Sequence, residues 1–394
     1  MKRPLTNSAR SNRRLRDITG ARFRASPNYQ LIPFDHLPDK FRLQLGESAE
    51  RPGFYGLLLP SKDWLTPKTA CEDTALLFYT LVQPGPLPSF VRAKFRDDAA
   101  EAIAQLVLDG ILEISTDPDE LFVSGPEACS MLFEDASEGA GGSRLARLTD
   151  EALYYGAQLR TLSVSELSAR LYAYNVETAT AARRCAFQQA AGTLSFLGLN
   201  GSVKTVVRRR GWRVANAVSE GWVFFSSPRA GFSPYKLYLS PRFDELANVF
   251  GAIVDGIVSS RAVAFKVGGE LSGLLRPDKI VAYCESFEDL AALADCLEQR
   301  LQGCLARGVP FTAQIDKDGL LSWGMDPPRE NQTAGLQQRE SWRFWLTNRL
   351  AISLAEVNRL MDASGAVRFA LDRLRLEGVD TETWTPKQAI WRTA

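Results

Sequence analysis

The chain has 394 residues, 45% hydrophobic and 24% charged, with 47 Lys and Arg against 46 Asp and Glu. That length predicts two or three domains with sizeable cores. The near-neutral charge argues against a general nucleic-acid binder, and no apolar run approaches the roughly 20 residues that span a bilayer.

The lone histidine, His36, excludes a His-rich zinc site. Cys71, Cys129, Cys185, Cys284, Cys296 and Cys304 never fall at CxxC spacing, so neither a zinc ribbon nor a thioredoxin-like motif is expected. Phosphate cradles of the GxxxxGK[ST] and GxGxxG kinds are missing as well. The basic N-terminus is not followed by an apolar run, and the thiols therefore read as reduced side chains of a cytoplasmic protein. Chemistry in such a chain runs on Lys, Arg, Tyr and carboxylates, with no metal and no cofactor expected.

Residues 1–26, with Arg13, Arg14 and Arg16 close together, read as a disordered basic tail, or else as an interaction arm. From 29 to 130 the pattern is that of a small folded module. Phe54–Leu59 reads as a strand and Cys71–Val82 as a helix with apolar Ala75, Phe78, Tyr79 and Val82. A short helix follows over Ser89–Phe95, then a third opened by Asp97 and Asp98, where acidic side chains suit the helix N-terminus. Strand Ile111–Ile114 and its partner Leu121–Val123 complete three helices and a hairpin, the order of a winged helix. That order resembles the leader-recognition modules of enzymes that modify ribosomal peptides, which add a peptide as a strand to a sheet edge. A plain structural domain is the alternative. DNA reading is disfavoured because the third helix shows Asp97, Asp98, Glu101 and Asp109 and no basic residue.

Residues 134–143 (EDASEGAGGS) read as a linker. A helical segment over 145–200 is predicted as Asp150–Leu159, Ser163–Tyr174 and Thr180–Leu197, the second opened by the capping box Ser163–Glu166. Tyr154, Tyr155, Tyr172 and Tyr174 are read there as core. Residues 203–394 form the last predicted domain. Short β-branched and aromatic runs at 204–208, 212–217, 222–225, 236–239, 263–267, 279–283 and 320–323 read as strands. Helices are predicted at 243–258 and 288–306. The fold class is α+β: a mixed sheet-and-helix domain preceded by a winged-helix-like module and a helical segment.

In Lys236-Leu-Tyr238 the two polar side chains share one strand face. Lys266 lies inside the apolar run Val263–Val267, next to Gly268-Gly269. A lysine there either snorkels to the surface or is partly desolvated, which lowers its pKa and makes it a usable base. Protection of an edge strand accounts for such lysines equally well.

Between Tyr235 and Pro328 the segments PYKLYLSPRF, AFKVGG, GLLRPDKIVAYCES, GVPFTA and GLLSWGMDPP resemble the HopA-type type III effector family. More distantly they resemble the OspF/SpvC-type phosphothreonine lyases. HopA-like proteins also act as lyases in class V lanthipeptide and thioamitide biosynthesis, eliminating phosphate from a phosphorylated precursor peptide. The resemblance implies Lys266 as the base that takes the Cα proton and Lys236 as the lysine that supports the phosphopeptide. It places Tyr238 where the lyases have a histidine acid, and Tyr283 at the strand-end tyrosine. Arg276 and Lys279 are the nearest matches to the phosphate-binding arginine. Ser322-Trp323-Gly324 replaces two further arginines, whose work would pass to Arg229, Arg242 or the Arg208–Arg210 run.

The expected function is metal-free elimination of phosphate from phosphoserine or phosphothreonine, giving dehydroalanine or dehydrobutyrine. The expected partners are a phosphorylated precursor peptide and a separate kinase-like protein, with no nucleic acid and no membrane. The alternatives are a non-catalytic HopA-like protein that binds a phosphopeptide or partner, and an effector acting on host phosphoproteins.

Overall fold

The aromatic and β-branched runs after Trp222 pair with one another in a computed structural model. It describes residues 14–50, 52–62, 67–91, 99–117, 121–134, 142–190, 192–198, 207–208, 210–214, 221–229, 231–327, 340–357 and 360–387. The fold is α+β. Its contacts divide into two units. One contains 1–140, 332–339 and 368–377, and the other 141–331, 340–367 and 378–394. The helical segment predicted at 145–200 and the sheet that follows it thus share one unit.

In the first unit, β1 (Arg22–Ala25) precedes β2 (Tyr29–Pro33), α1 (Asp39–Leu45), β3 (Phe54–Pro60), β4 (Lys68–Cys71), α2 (Glu72–Thr80), α3 (Ala99–Leu108) and β5 (Leu112–Ser115). β2, β3 and β4 form an antiparallel sheet. Tyr29, Leu31 and Leu58 from it close over Ala75, Phe78 and Ile111. β1 pairs with β5 and corrects the expectation of a tail to residue 26. Phe23 is fully buried, and Arg24 bonds Glu113 at 2.6 Å. Pairing with β5 is what makes this short polar segment a strand, with Phe23 on its buried face. Ile114 exchanges backbone hydrogen bonds with Val123 as a single isolated bridge, so the predicted partner strand Leu121–Val123 does not form and β5 takes β1 as its sheet neighbour instead. Most of the second predicted helix, 92–95, lies outside the described residues, as does most of the 134–143 linker.

The second unit opens with α4 (Arg144–Gln158), α5 (Val164–Tyr172) and α6 (Ala181–Gln189). Ser143 caps α4, and the Ser163–Glu166 capping box starts α5. The helix predicted over 180–197 stops at Gln189 and restarts as one turn, Thr193–Phe196. Gly192 between them has φ 117°, which ends a helix.

The sheet then builds from β6 (Arg213–Val214), β7 (Trp222–Ser226), β8 (Tyr235–Leu239), β9 (Ala264–Gly268), β10 (Ile280–Cys284), β11 (Ala313–Gln314) and β12 (Leu321–Met325). Its order is β11-β12-β8-β10-β9-β7-β6, every pair antiparallel. The predicted strand at 204–208 lies largely outside the described residues. α7 (Leu246–Ser259) and α8 (Phe287–Arg300) cover one face. Leu237, Leu239, Phe265, Val267, Ala282 and Cys284 point into that core, with Phe250, Ile253, Leu293 and Leu297 against them. α8 ends at Arg300 rather than 306, because Ala306 bridges to Pro241.

Period-two alternation sends the other residues of these strands to the opposite face. α9 (Trp342–Val357) and α10 (Ala363–Leu376) follow. Among the described residues no helix is long and apolar enough to cross a membrane.

Candidate active site

The antiparallel register places Phe224, Lys266, Val281, Tyr238 and Ser322 side by side across five strands. The next row holds Ala264, Tyr283, Lys236 and Gly324. Trp222 enters from β7 opposite Gly268. The sequence-predicted Lys236, Tyr238, Lys266 and Tyr283 therefore share the sheet face turned away from α7 and α8. Gly268 fixes the end of β9 against the turn 271–274, where a Cβ would lie 2.3 Å from the Gly273 carbonyl carbon. The same turn delivers Arg276.

Lys266 is half-buried, and its Nζ lies 4.1 Å from the Trp222 ring centroid and 5.8 Å from that of Phe224. Among the described residues it has neither a hydrogen bond nor a carboxylate partner. Burial, helped by the charge of Lys236, lowers its pKa to about 8, against weaker opposition from Asp278 and Asp326. The other cations of this face each hold a carboxylate. Lys236 Nζ is 2.7 Å from Asp326 and 5.5 Å from the Tyr283 ring centroid. Arg276 Nε donates to Asp278 Oδ1 at 2.8 Å, and its Nη2 donates to Asp278 Oδ2 and to the Tyr172 hydroxyl. The Arg276 guanidinium also lies 4.8 Å from the Trp222 centroid.

Sequence reasoning assigned Tyr172 to core packing and took no account of Arg343. Only Tyr155 and Tyr174 of the predicted tyrosine cluster are in ring contact, at 5.7 Å. Tyr172 instead turns to the site, where its hydroxyl donates to Asp278 Oδ2 at 3.0 Å. Arg343 from α9 is fully buried, 2.8 Å from Asp278, and donates to the carbonyls of Tyr172 and Pro310. Arg343 and Arg276 hold the Asp278 carboxyl well below the usual range, although burial opposes them. The signal for Asp278 and Asp326 was present, since both lie within the segments that carry the family resemblance. Nothing marked Arg343, which lies beyond them.

The space above Gly324 is filled by Trp342: a Cβ there would lie 2.2 Å from Trp342 Cδ1. The residue after that tryptophan is Arg343, so the helix that fills this space also brings a cation to the site. Among the described residues, Lys236, Lys266, Arg276 and Arg343 face Asp278 and Asp326, an excess of two positive charges while Lys266 is protonated. That is the charge of a phosphomonoester dianion.

Tyr238 is almost fully buried against Val281, Val309 and Tyr283, and burial raises its pKa well above that of free phenol. Tyr283 is raised in the same way, and Tyr172 to about 12. All three are hydroxyl donors at neutral pH. Ser322, beside Tyr238, has a buried hydroxyl with no partner among the described residues.

The remaining predicted phosphate ligands make none of the contacts described for this face. Lys279 is fully buried and donates to Glu177 Oε1 at 2.6 Å and to the Pro241 carbonyl at 2.7 Å. Glu177 also binds Arg183 and the Phe243 backbone N–H, so Lys279 completes an internal ion pair and, fully buried, presents no surface to a substrate. Arg242 is exposed beyond the far end of β8, with Asp244 and Arg307 as its charged neighbours. Arg229 is exposed in the turn after β7. Arg208 and Arg210 are exposed, and Arg209 lies outside the described residues. No described group of His, Cys, Asp and Glu could hold a metal ion.

The sequence matches no protein-family model and no curated protein. Among solved structures, an effector protein from Pseudomonas syringae pv. tomato is similar over 62% of this chain and 99% of its own, with 13% identity and a TM-score of 0.41. The phosphothreonine lyase SpvC from Salmonella is similar over 41% and 95%, with 14% identity and a TM-score of 0.27. The type III effector and phosphothreonine lyase OspF from Shigella flexneri is similar over 46% and 90%, with 12% identity and a TM-score of 0.25. At overlaps this low, the chemistry of the site rests on its own residues.

Proposed function

We propose that the chain is a phosphoserine/phosphothreonine lyase acting on a phosphorylated peptide. The observation that carries this reading is Lys266: a half-buried lysine with no carboxylate partner among the described residues, set among cations that each have one. A site that only gripped phosphate would gain from a fully protonated lysine. A lysine whose pKa is lowered to about 8 is suited to move a proton.

In the reaction, Lys266 Nζ takes the Cα proton and the electron pair forms the Cα=Cβ bond. The Cβ–O bond breaks, and phosphate leaves as the monohydrogen dianion once a proton reaches its oxygen. Arg276 and Lys236 hold the phosphoryl oxygens and stabilise the charge that develops on them. Arg343 acts through Asp278, orienting Arg276. Tyr238 donates toward the leaving oxygen or the enolate.

The resemblance of the 235–328 segments supports a precursor peptide of ribosomal peptide biosynthesis as substrate. Dehydroalanine or dehydrobutyrine would be the product, after a separate kinase-like protein has acted. Leader capture falls to the first unit in this reading. A second reading, phosphopeptide binding without turnover, is favoured by Tyr238, whose burial makes it a far weaker acid than the histidine it replaces. Incubation of the full chain with a phosphothreonine peptide, followed by mass spectrometry, separates the two. Loss of one phosphoric acid supports the lyase. Tight binding with the peptide mass unchanged supports the binding protein.

A further inference from the structure

Trp222 is almost fully buried, and two cations share its indole: Lys266 Nζ at 4.1 Å and the Arg276 guanidinium at 4.8 Å. Asp278 and Asp326 are near enough to act on Lys266 electrostatically, yet neither touches it. Asp278 is engaged by Arg276, Arg343 and Tyr172, and Asp326 by Lys236. The ring, rather than a carboxylate, is what the ammonium rests on.

We propose that Trp222 is the positioning residue of the lysine base: its indole covers Lys266, keeping it from water and from an ion pair with Asp278 or Asp326. The inference deepens the lyase reading and rests on it for its functional meaning. The charged and titratable groups that surround Lys266 are Lys236 from β8, Arg276 and Asp278 from the turn before β10, and Asp326 after β12. Tyr238 and Tyr283 lie in the adjoining strands.

Two effects of the ring oppose each other. The π face attracts the ammonium, by about 0.5–2 kcal/mol in general. The same ring strips its water, and burial is the largest influence on this lysine. Loss of hydration dominates for a compact ammonium. Removing the ring therefore favours the protonated form, both by hydration and by opening a path to the carboxylates.

The test is a titration of the full-length protein labelled with [13C]lysine, following the Lys266 Cε resonance, which is assigned by its loss in Lys266→Arg. The wild type should titrate near pH 8. Trp222→Leu should titrate at least one unit higher, reducing the free-base fraction at pH 7 about tenfold. Trp222→Phe keeps a smaller ring and should lie between them. It also serves if the leucine variant fails to fold. An unchanged midpoint in either folded variant, or a lower one, overturns the proposal. This signal does not depend on turnover: if the wild type releases no phosphate, the lyase reading fails while the titration still decides the role of Trp222.

Discussion

Replacing Lys266 by arginine separates its charge from its basicity. With a pKa of about 8, roughly a quarter of Lys266 is free base at pH 7.5, whereas an unperturbed lysine would be so in about one molecule per thousand. Arginine keeps the positive charge over Trp222 and is never deprotonated. Lys266→Arg should therefore bind a phosphothreonine peptide within a few-fold of wild type and lose elimination about 10²–10⁴-fold, the usual worth of a general base. Lys266→Ala should lose as much turnover. The assay is phosphate release under single-turnover conditions, with affinity measured separately by fluorescence anisotropy. The wild-type rate constant divided by KM should rise tenfold per pH unit from pH 6.5 and level near pH 8. The base acts only when deprotonated, and the substrate phosphate is already a dianion there. If Lys266→Arg retains more than half the activity, or the wild-type profile is flat from pH 6.5 to 9, Lys266 is not the base.

Three further outcomes follow from the packing. Lys266 is protonated in the unfolded chain up to about pH 10.5 but only to about pH 8 in the folded one, so its burial destabilises the fold below pH 8, and that penalty disappears by pH 10.5. Lys266→Met should accordingly raise Tm at pH 7 by roughly 2–4 °C, with the gain shrinking to nothing near pH 10.5 in a thermal melt series. Lys279→Met strands the buried Glu177 carboxylate and should cost about 3 kcal/mol in urea unfolding, the low end for a broken buried pair because Arg183 still reaches Glu177. Adding Glu177→Gln should recover part of that loss, and the folded fraction should still eliminate phosphate. Gly324→Ala drives a methyl into Trp342 and should cost about 1–3 kcal/mol. Its phosphopeptide Kd should also weaken, since Arg343 follows Trp342; an unchanged Kd in a destabilised variant would show that Arg343 does not support the site.

Most strands of the second unit were legible in the chain itself, the two-residue β11 being missed. Period-two alternation in Lys236-Leu-Tyr238 and in Val263–Val267 dictates which side chains point together, whatever the partner strands. The capping box at Ser163 and the turn glycines act within a few residues, and such local signals survive in a linear reading. What the alternation could not give is the state of each side chain, because that depends on groups distant in sequence. Lys279 and Lys236 look alike as strand lysines. Glu177, 102 residues away, seals the first inside, while Asp326 pairs with the second at the site. Tyr172 became a site residue because Arg276 and Asp278 lie 104 and 106 residues further on. Phe23 left the predicted tail because β5 lies beside it. What stands over Gly324 was decided by α9, whose Trp342 fills the space and whose Arg343 brings the charge. Local backbone preference is written residue by residue, but desolvation and ion pairing are set only once the sheet, its flanking helices and their charges have come together.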